Sequence, residues 1–345
     1  FLTQNHVLCH VNVLLMRYKG TSTNPFRAYN PHPMKTFRVI RTLRLRKASA
    51  QGASIKFGIY ALILFCLLCA GCASQAESSS DSSSSLYIEN KGSDTIVNLA
   101  LAWAEAYQTV NPDVRISVTG GGSGTGLASL VNGTVDIANA SRQIKDEEAE
   151  AVRATGVDPV EFVIARDAIA IIVNPENPVN ELTLQQISDI YSGKINNWLE
   201  VGGEDRPIVR LSRETNSGTH VYFLETVLRL GDKESTTLFS MDTLLLPSSE
   251  VISAEVRENP NAIGYDGLGY VTADLKVIAV AADETTPYIL PSAATVTSGE
   301  YPIARDLYMY TAGEPTGHVK EYLAWLFTDA AQAIVEELGF VPINP

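Results

Sequence analysis

From Leu86 onward, short apolar runs alternate with longer stretches in which apolar residues recur every three or four positions, as strands and helices do in an α/β fold. LYIEN predicts a strand from residue 86. Residues 96–109 place Leu99, Trp103 and Tyr107 at fourfold spacing, with Ile96 and Ala100 beside them, before a stop at Asn111-Pro112; that is an amphipathic helix. VRISVTG (114–120) predicts the next strand, GGSGTGLASLVNG a glycine-rich turn running into a short helix, and VDIANAS another strand. The long run VEFVIARDAIAIIVNP from Val160 suits strands buried on both faces. LTLQQISDIYSG (182–193) predicts a helix ended by glycine, PIVRLSR (207–213) a strand delivering Arg213 at its carboxyl end, and SGTHVYFLETVLRLG (217–231) a helix that starts at once. AIGYDGLGYV, LKVIAVA and LYMYT predict strands, and the stretch from Thr316 to Gly339 a helical pair or one long helix.

Upstream the pattern changes. Residues 57–73, FGIYALILFCLLCAGCA, are an unbroken apolar run preceded by Arg38, Arg41, Arg44, Arg46, Lys47 and Lys56, which reads as a secretory signal. At 17 residues the run is shorter than the roughly 20 of a spanning helix. Ala70-Gly71-Cys72 resembles a lipobox, which would make Cys72 the lipidated first residue of the mature protein; the alternative is a plain N-terminal anchor. Both put the remaining chain outside the cytoplasm. Met34-Lys35 begins a sensible signal, so residues 1–33 are expected to be upstream sequence and 34–72 the leader. The Ser-rich residues 73–85 predict a flexible tether.

Composition narrows the function classes. The 345 residues are 45% hydrophobic and 19% charged, which predicts a large core and excludes chain-wide disorder. The net charge of −13 is uneven: residues 1–72 hold 10 Lys and Arg and no acid, leaving 16 basic against 39 acidic side chains, a net of −23. Such a surface repels polyanions, which argues against nucleic acid as a partner. All four cysteines, Cys9, Cys66, Cys69 and Cys72, lie upstream, so cysteine redox chemistry and cysteine-bound zinc are not expected of the body.

Three polar turns that contain glycine stand between a strand and a helix: Gly92-Ser93-Asp94-Thr95, the run from Gly120 to Gly126, and Arg213-Glu214-Thr215-Asn216-Ser217-Gly218-Thr219. A helix start offers unpaired N–H donors and partial positive charge, and glycine lets an anion approach the backbone. Each turn alone reads first as an N-cap. Two of them share Ser-Gly-Thr, at residues 123–125 and 217–219, and could face each other from two lobes. With Arg213 as a forked cation, they suggest a cage for a small tetrahedral oxyanion. Charge-assisted bonds of about 1.5–3 kcal/mol each suffice, after association costs, for micromolar binding at about −8 kcal/mol.

GSDT at 92–95, TGGGSGTG at 119–126, VDIANASR at 135–142, SRETNSGTH at 212–220 and NAIGY at 261–265 together resemble the substrate-binding proteins of phosphate ABC transporters, of the periplasmic-binding-protein type II superfamily. The resemblance implies a two-lobed α/β fold, each lobe a mixed sheet flanked by helices, with two hinge crossings. The crossings are placed near residues 167–174 and 270–279, giving one lobe from 86–168 and 272–345 and the other from 169–271. It implies no catalysis and no cofactor, a monomer that binds inorganic phosphate, and permease subunits as membrane partners. Thr95 and the Ile96 amide, Ser123, and Arg213 with Ser217, Gly218 and Thr219 match family contacts, and Ser93 is adjacent. Some family members end the VDIANASR segment with an Asp that accepts a bond from protonated phosphate, where this chain has Ser141-Arg142. Ser141 is therefore expected to bond the ligand, with Arg142 contacting it or bracing the lobes, and Asp94 or Asp136 could supply the acceptor.

Two competing functions remain. One is a binder or sensor of sulfate, molybdate or tungstate; the other is a secreted phosphomonoesterase using Ser217 and His220, although no nucleophile-elbow pattern surrounds that serine. The glycine run lacks the Lys of a phosphate-binding P-loop, and Asp146–Glu150 reads as a solvated helix face.

Overall fold

The computed structural model describes residues 86–343; the expected leader, Cys72 and the tether lie outside them. Among the described residues no helix is long and apolar enough to cross a membrane. The first lobe opens with β1 (Leu86–Gly92), α1 (Asp94–Val110), β2 (Val114–Thr119), α2 (Ser123–Val131), β3 (Ile137–Ala140) and α3 (Asp146–Arg153). The apolar run from Val160 then forms one strand of 15 residues, β4 (Pro159–Val173), which passes from the first lobe into the second.

The second lobe holds β5 (Glu181–Thr183), α4 (Leu184–Tyr191), β6 (Val209–Arg213), α5 (Gly218–Phe223), β7 (Leu244–Leu246), α6 (Ser249–Glu258), β8 (Ala262–Gly267), β9 (Lys276–Ala281) and α7 (Ala293–Thr297). The chain returns to the first lobe through β10 (Ala304–Ala312), and ends with α8 (Gly317–Trp325) and α9 (Asp329–Glu337). The stretch read as one helix from Ser217 is α5 followed by a π turn over Leu224–Leu228.

The first sheet runs β2-β1-β3-β10-β4, with β1 parallel to β2 and β3, and β10 antiparallel to β3 and β4. In the second, β4 lies between β8 and β9, both antiparallel to it; β6 continues outward from β8, β7 from β6, and β5 from β9, all parallel. Each sheet is therefore mixed and covered on both faces. Ile169, Ile171 and Val173 of β4 enter a core with Tyr191, Trp198 and Phe223, whereas Ala170 and Ile172 meet Ile252 and Val256 of α6 on the opposite face. A strand packed on both sides gains nothing from polar alternation, which is why β4 reads as an unbroken apolar run. In the first lobe Leu99, Trp103 and Tyr107 of α1 pack with Leu307 and Met309 of β10 and Tyr322 of α8. Trp103 Nε1 donates to the Ala331 carbonyl at 2.8 Å.

The sheet pairing corrects the expected lobe boundary. Residues 272–303 belong to the second lobe, because β9 pairs with β4 at Ile171–Val173 and with β5. The chain does touch the first lobe earlier: Tyr270 enters its core and a side chain at Gly269 would strike the Phe340 ring. It then turns back. The return crossing is the start of β10, where Ala304 and Arg305 pair with Ala168 and Asp167.

Candidate oxyanion-binding site

The three turns singled out in the sequence lie at the carboxyl ends of β1, β2 and β6, where open α/β sheets bind ligands. They meet across the cleft between the lobes. Thr95 Oγ1 of α1 and Thr219 Oγ1 of α5 are 2.9 Å apart. Gly124 N donates to the Asn216 carbonyl at 3.1 Å, and Asn216 Nδ2 donates to the Gly121 carbonyl at 2.9 Å. Gly218 sits so close to the first lobe that a Cβ would lie 2.2 Å from Ser123 Oγ and 2.7 Å from Ser141 Oγ. Gly122, at a φ of 89°, adopts backbone geometry that favours glycine and would also collide with the Asn216 carbonyl.

The hydroxyls have a common polarity. Ser123 Oγ accepts from the Ser141 amide at 3.0 Å and lies 3.3 Å from Ser141 Oγ. Ser217 Oγ caps its helix by accepting from the amides of Thr219 and His220. A hydroxyl whose oxygen accepts from N–H keeps its single proton to give to something else. Thr95, Ser123, Ser141 and Thr219 are all essentially excluded from water, and Ser93 and Ser217 nearly so. Donors held ready in a dry site are what a dehydrated oxyanion needs. The Ile96 amide is turned to the Ser93 carbonyl at 3.1 Å, so within this pair the Thr95 hydroxyl is the group that crosses the cleft.

Arg213 bridges the lobes: Nη2 donates to Asp94 Oδ2 at 2.6 Å and to the Pro247 carbonyl at 2.9 Å, and Nη1 to Ser249 Oγ at 3.1 Å. Asp94 also accepts from the Gly121 amide at 2.9 Å, and the Tyr270 hydroxyl donates to the Asp94 carbonyl at 2.6 Å. Behind Arg213 lies Asp266, fully buried, with one carboxylate oxygen bonded to the Gly267 amide and the other without a partner. Burial pushes its carboxyl up to about 7, opposed by Ser249 and the charge of Arg213.

Two expectations need correction. Arg142 does not brace the lobes: its fork is engaged within its own lobe by Glu148, at 2.8 and 2.7 Å, and by the Gln143 carbonyl. Burial pushes the Glu148 carboxyl up, but Arg142 together with the Lys145 amide and charge outweighs it and holds the carboxyl below its ordinary range. Asp136 cannot serve as the acceptor, since it is exposed at the amino end of β3, opposite the strand ends that carry the turns, and accepts from the Glu89 amide. His220 bonds Ser212 Oγ through Nδ1 at 3.0 Å and stacks on Phe239, and burial lowers its pKa. Its ring is therefore oriented toward Ser212 rather than Ser217.

The residue that sequence reasoning missed is Arg305. It pairs with Asp167 at 2.9 Å, with both side chains almost wholly buried, and reaches the cage hydroxyls of Thr95 and Thr219. One signal was present: Asp167 stands inside an apolar run, and a buried carboxylate requires a cation. Burial raises the Asp167 carboxyl, and Arg305 opposes that rise. Arg305 also lines an interlobe cavity of about 800 Å³ with Arg142, Lys145, Tyr222 and Lys233.

Comparison with known proteins agrees with this geometry. Residues 75–330 match the family model described as the PBP superfamily domain. The phosphate-binding protein PstS of Bacillus subtilis is 35% identical over 264 residues, 76% of this chain and 82% of that protein. The phosphate-binding protein PstS of Pseudomonas aeruginosa is 31% identical over 273 residues, 74% and 83% of the two chains. Among solved structures, a Clostridium perfringens protein described as a phosphate ABC transporter substrate-binding protein, crystallised with phosphate, superposes with a TM-score of 0.66. It is 33% identical, over 75% of this chain and all of that one. An ABC-type phosphate transport receptor from Vibrio cholerae gives 0.60 at 29% identity, over 74% of this chain and 99% of its own. With two mixed-sheet lobes, crossing strands and this sequence likeness, the chain belongs to the PBP superfamily and, within it, to the family of the PstS proteins.

Proposed function

We propose that the chain captures inorganic phosphate between its two lobes, outside the cytoplasm, and delivers it to the permease subunits of an ABC transporter. The observation that carries this reading is the meeting of Thr95, Ser123 and Ser141 from one lobe with Ser217, Gly218 and Thr219 from the other. Every hydroxyl of that cage whose amide contact is described is left to act as a donor. The arginines of the cleft each hold a carboxylate of their own: Arg213 with Asp94, Arg305 with Asp167, and Arg142 with Glu148. Oriented dipoles rather than net charge therefore supply the attraction. The protein acts as a monomer, tethered through a lipid on Cys72, and Cys72→Ala is expected to release it from the membrane fraction.

Isothermal titration of the dialysed protein with phosphate and with sulfate tests the reading. We expect micromolar or tighter phosphate binding, about −8 kcal/mol or better, and sulfate binding at least about tenfold weaker. Equal affinities would remove phosphate selectivity, and no binding of either ion would remove the cage.

A further inference from the structure

Arg305 stands where both chain crossings lie side by side, in register with Asp167 of β4. Its Nε and Nη2 donate to Asp167 Oδ2 at 3.3 and 2.9 Å, and Nη1 donates to the Ser141 carbonyl at 2.9 Å. Nη2 also reaches Thr219 Oγ1 at 3.0 Å, in the second lobe, and Thr95 Oγ1 at 3.4 Å, in the first. The Tyr222 ring lies 5.5 Å from the guanidinium carbon, near enough for a cation–π contact, and the Tyr222 hydroxyl is itself fixed by the Ala304 carbonyl at 2.7 Å.

A guanidinium only donates. One threonine hydroxyl donates to the other at 2.9 Å; with the guanidinium occupying a lone pair on both oxygens, the proton of the accepting hydroxyl is left to be given away. Because its anchor is on the crossing strands, Arg305 keeps its place relative to the hinge, and Thr219 must be brought to it by the second lobe. We propose that Arg305 is a positioning residue for oxyanion capture: held by Asp167 at the hinge, it turns the bonded Thr95–Thr219 pair into a donor only when the lobes are together, so that closure and binding become one event. This inference rests on the phosphate reading above and adds to it a residue outside the three helix starts.

The test is a double-mutant cycle read by phosphate titration, with wild type, Thr219→Val, Arg305→Lys and the double variant. Thr219→Val is expected to weaken phosphate binding about tenfold in the wild-type background, and less than about threefold in the Arg305→Lys background, because residues in one network do not act additively. Additive losses would overturn the inference while leaving the phosphate reading intact; wild type that binds no phosphate would remove both. A second variant guards against misfolding. Asp167→Leu with Arg305→Met replaces the buried pair by apolar side chains, an exchange that proteins often tolerate. We expect it to melt within a few degrees of wild type yet lose at least about tenfold in phosphate affinity. Unchanged affinity would reduce the pair to a structural role and overturn the proposal.

Discussion

Gly218 measures how tightly the two lobes meet, since any side chain there must displace Ser123 or Ser141. Gly218→Ala is expected to lower phosphate affinity by at least about tenfold while leaving the melting temperature within a few degrees, because its clash is with the opposite lobe rather than its own core. Arg213→Ala removes a donor to Asp94, Ser249 and Pro247, and an affinity loss of at least about tenfold, read by titration, is expected for a charged bridge across the cleft. Asp266 gives a pH prediction. Its folded pKa is raised, to about 7, above the ordinary carboxylate value near 3.9, so between about pH 4 and 7 the folded protein holds a proton that the unfolded chain has lost. Stability then falls as pH rises through that window. Asp266→Asn stays neutral, and its melting temperature relative to wild type should be higher at pH 8.5 than at pH 5; a difference independent of pH would refute this. At this scale the Ser-Gly-Thr turns were legible because their chemistry is local. Arg305 was not, because it matters only through its register with Asp167, 138 positions earlier.

Among elements, β4 does the most to unite the fold. It contributes Ala165 and Ile164 to one lobe's core and Ile169, Ile171 and Val173 to the other's. Ile171→Ala, at a fully buried position, should cost about 2–5 kcal/mol in denaturant unfolding. Most helices and strands could be read from apolar spacing, with the glycine that ends α4, whereas β5, β7, α6 and α7 were not predicted. Their assignment to lobes could not. LKVIAVA reads equally well as a hinge segment or a sheet strand, and what decides is its pairing with β4 and β5, a contact with no local trace. The π turn after α5 was similarly invisible, since its residues continue a helical apolar pattern.

For the whole molecule, the body beyond residue 72 carries a net charge of −23, while each cleft arginine is matched by a carboxylate. The long-range field therefore opposes a phosphate dianion, and only contact-range donors favour it. Stopped-flow association with phosphate should accelerate as salt is raised from about 10 mM toward 150 mM, where the Debye length shrinks from about 30 to 8 Å; a rate that falls would show a local attracting field. The order of the strands has a different consequence, for biogenesis. β10 fills the place between β3 and β4, yet it is made from residues 304–312, near the end of the chain. Until those residues have been synthesised, the first lobe has a gap in the middle of its sheet and two unsatisfied strand edges. Translation thus postpones completion of that lobe until residues 304–312 have been made, and its earlier strands must wait unpaired along that line for so long.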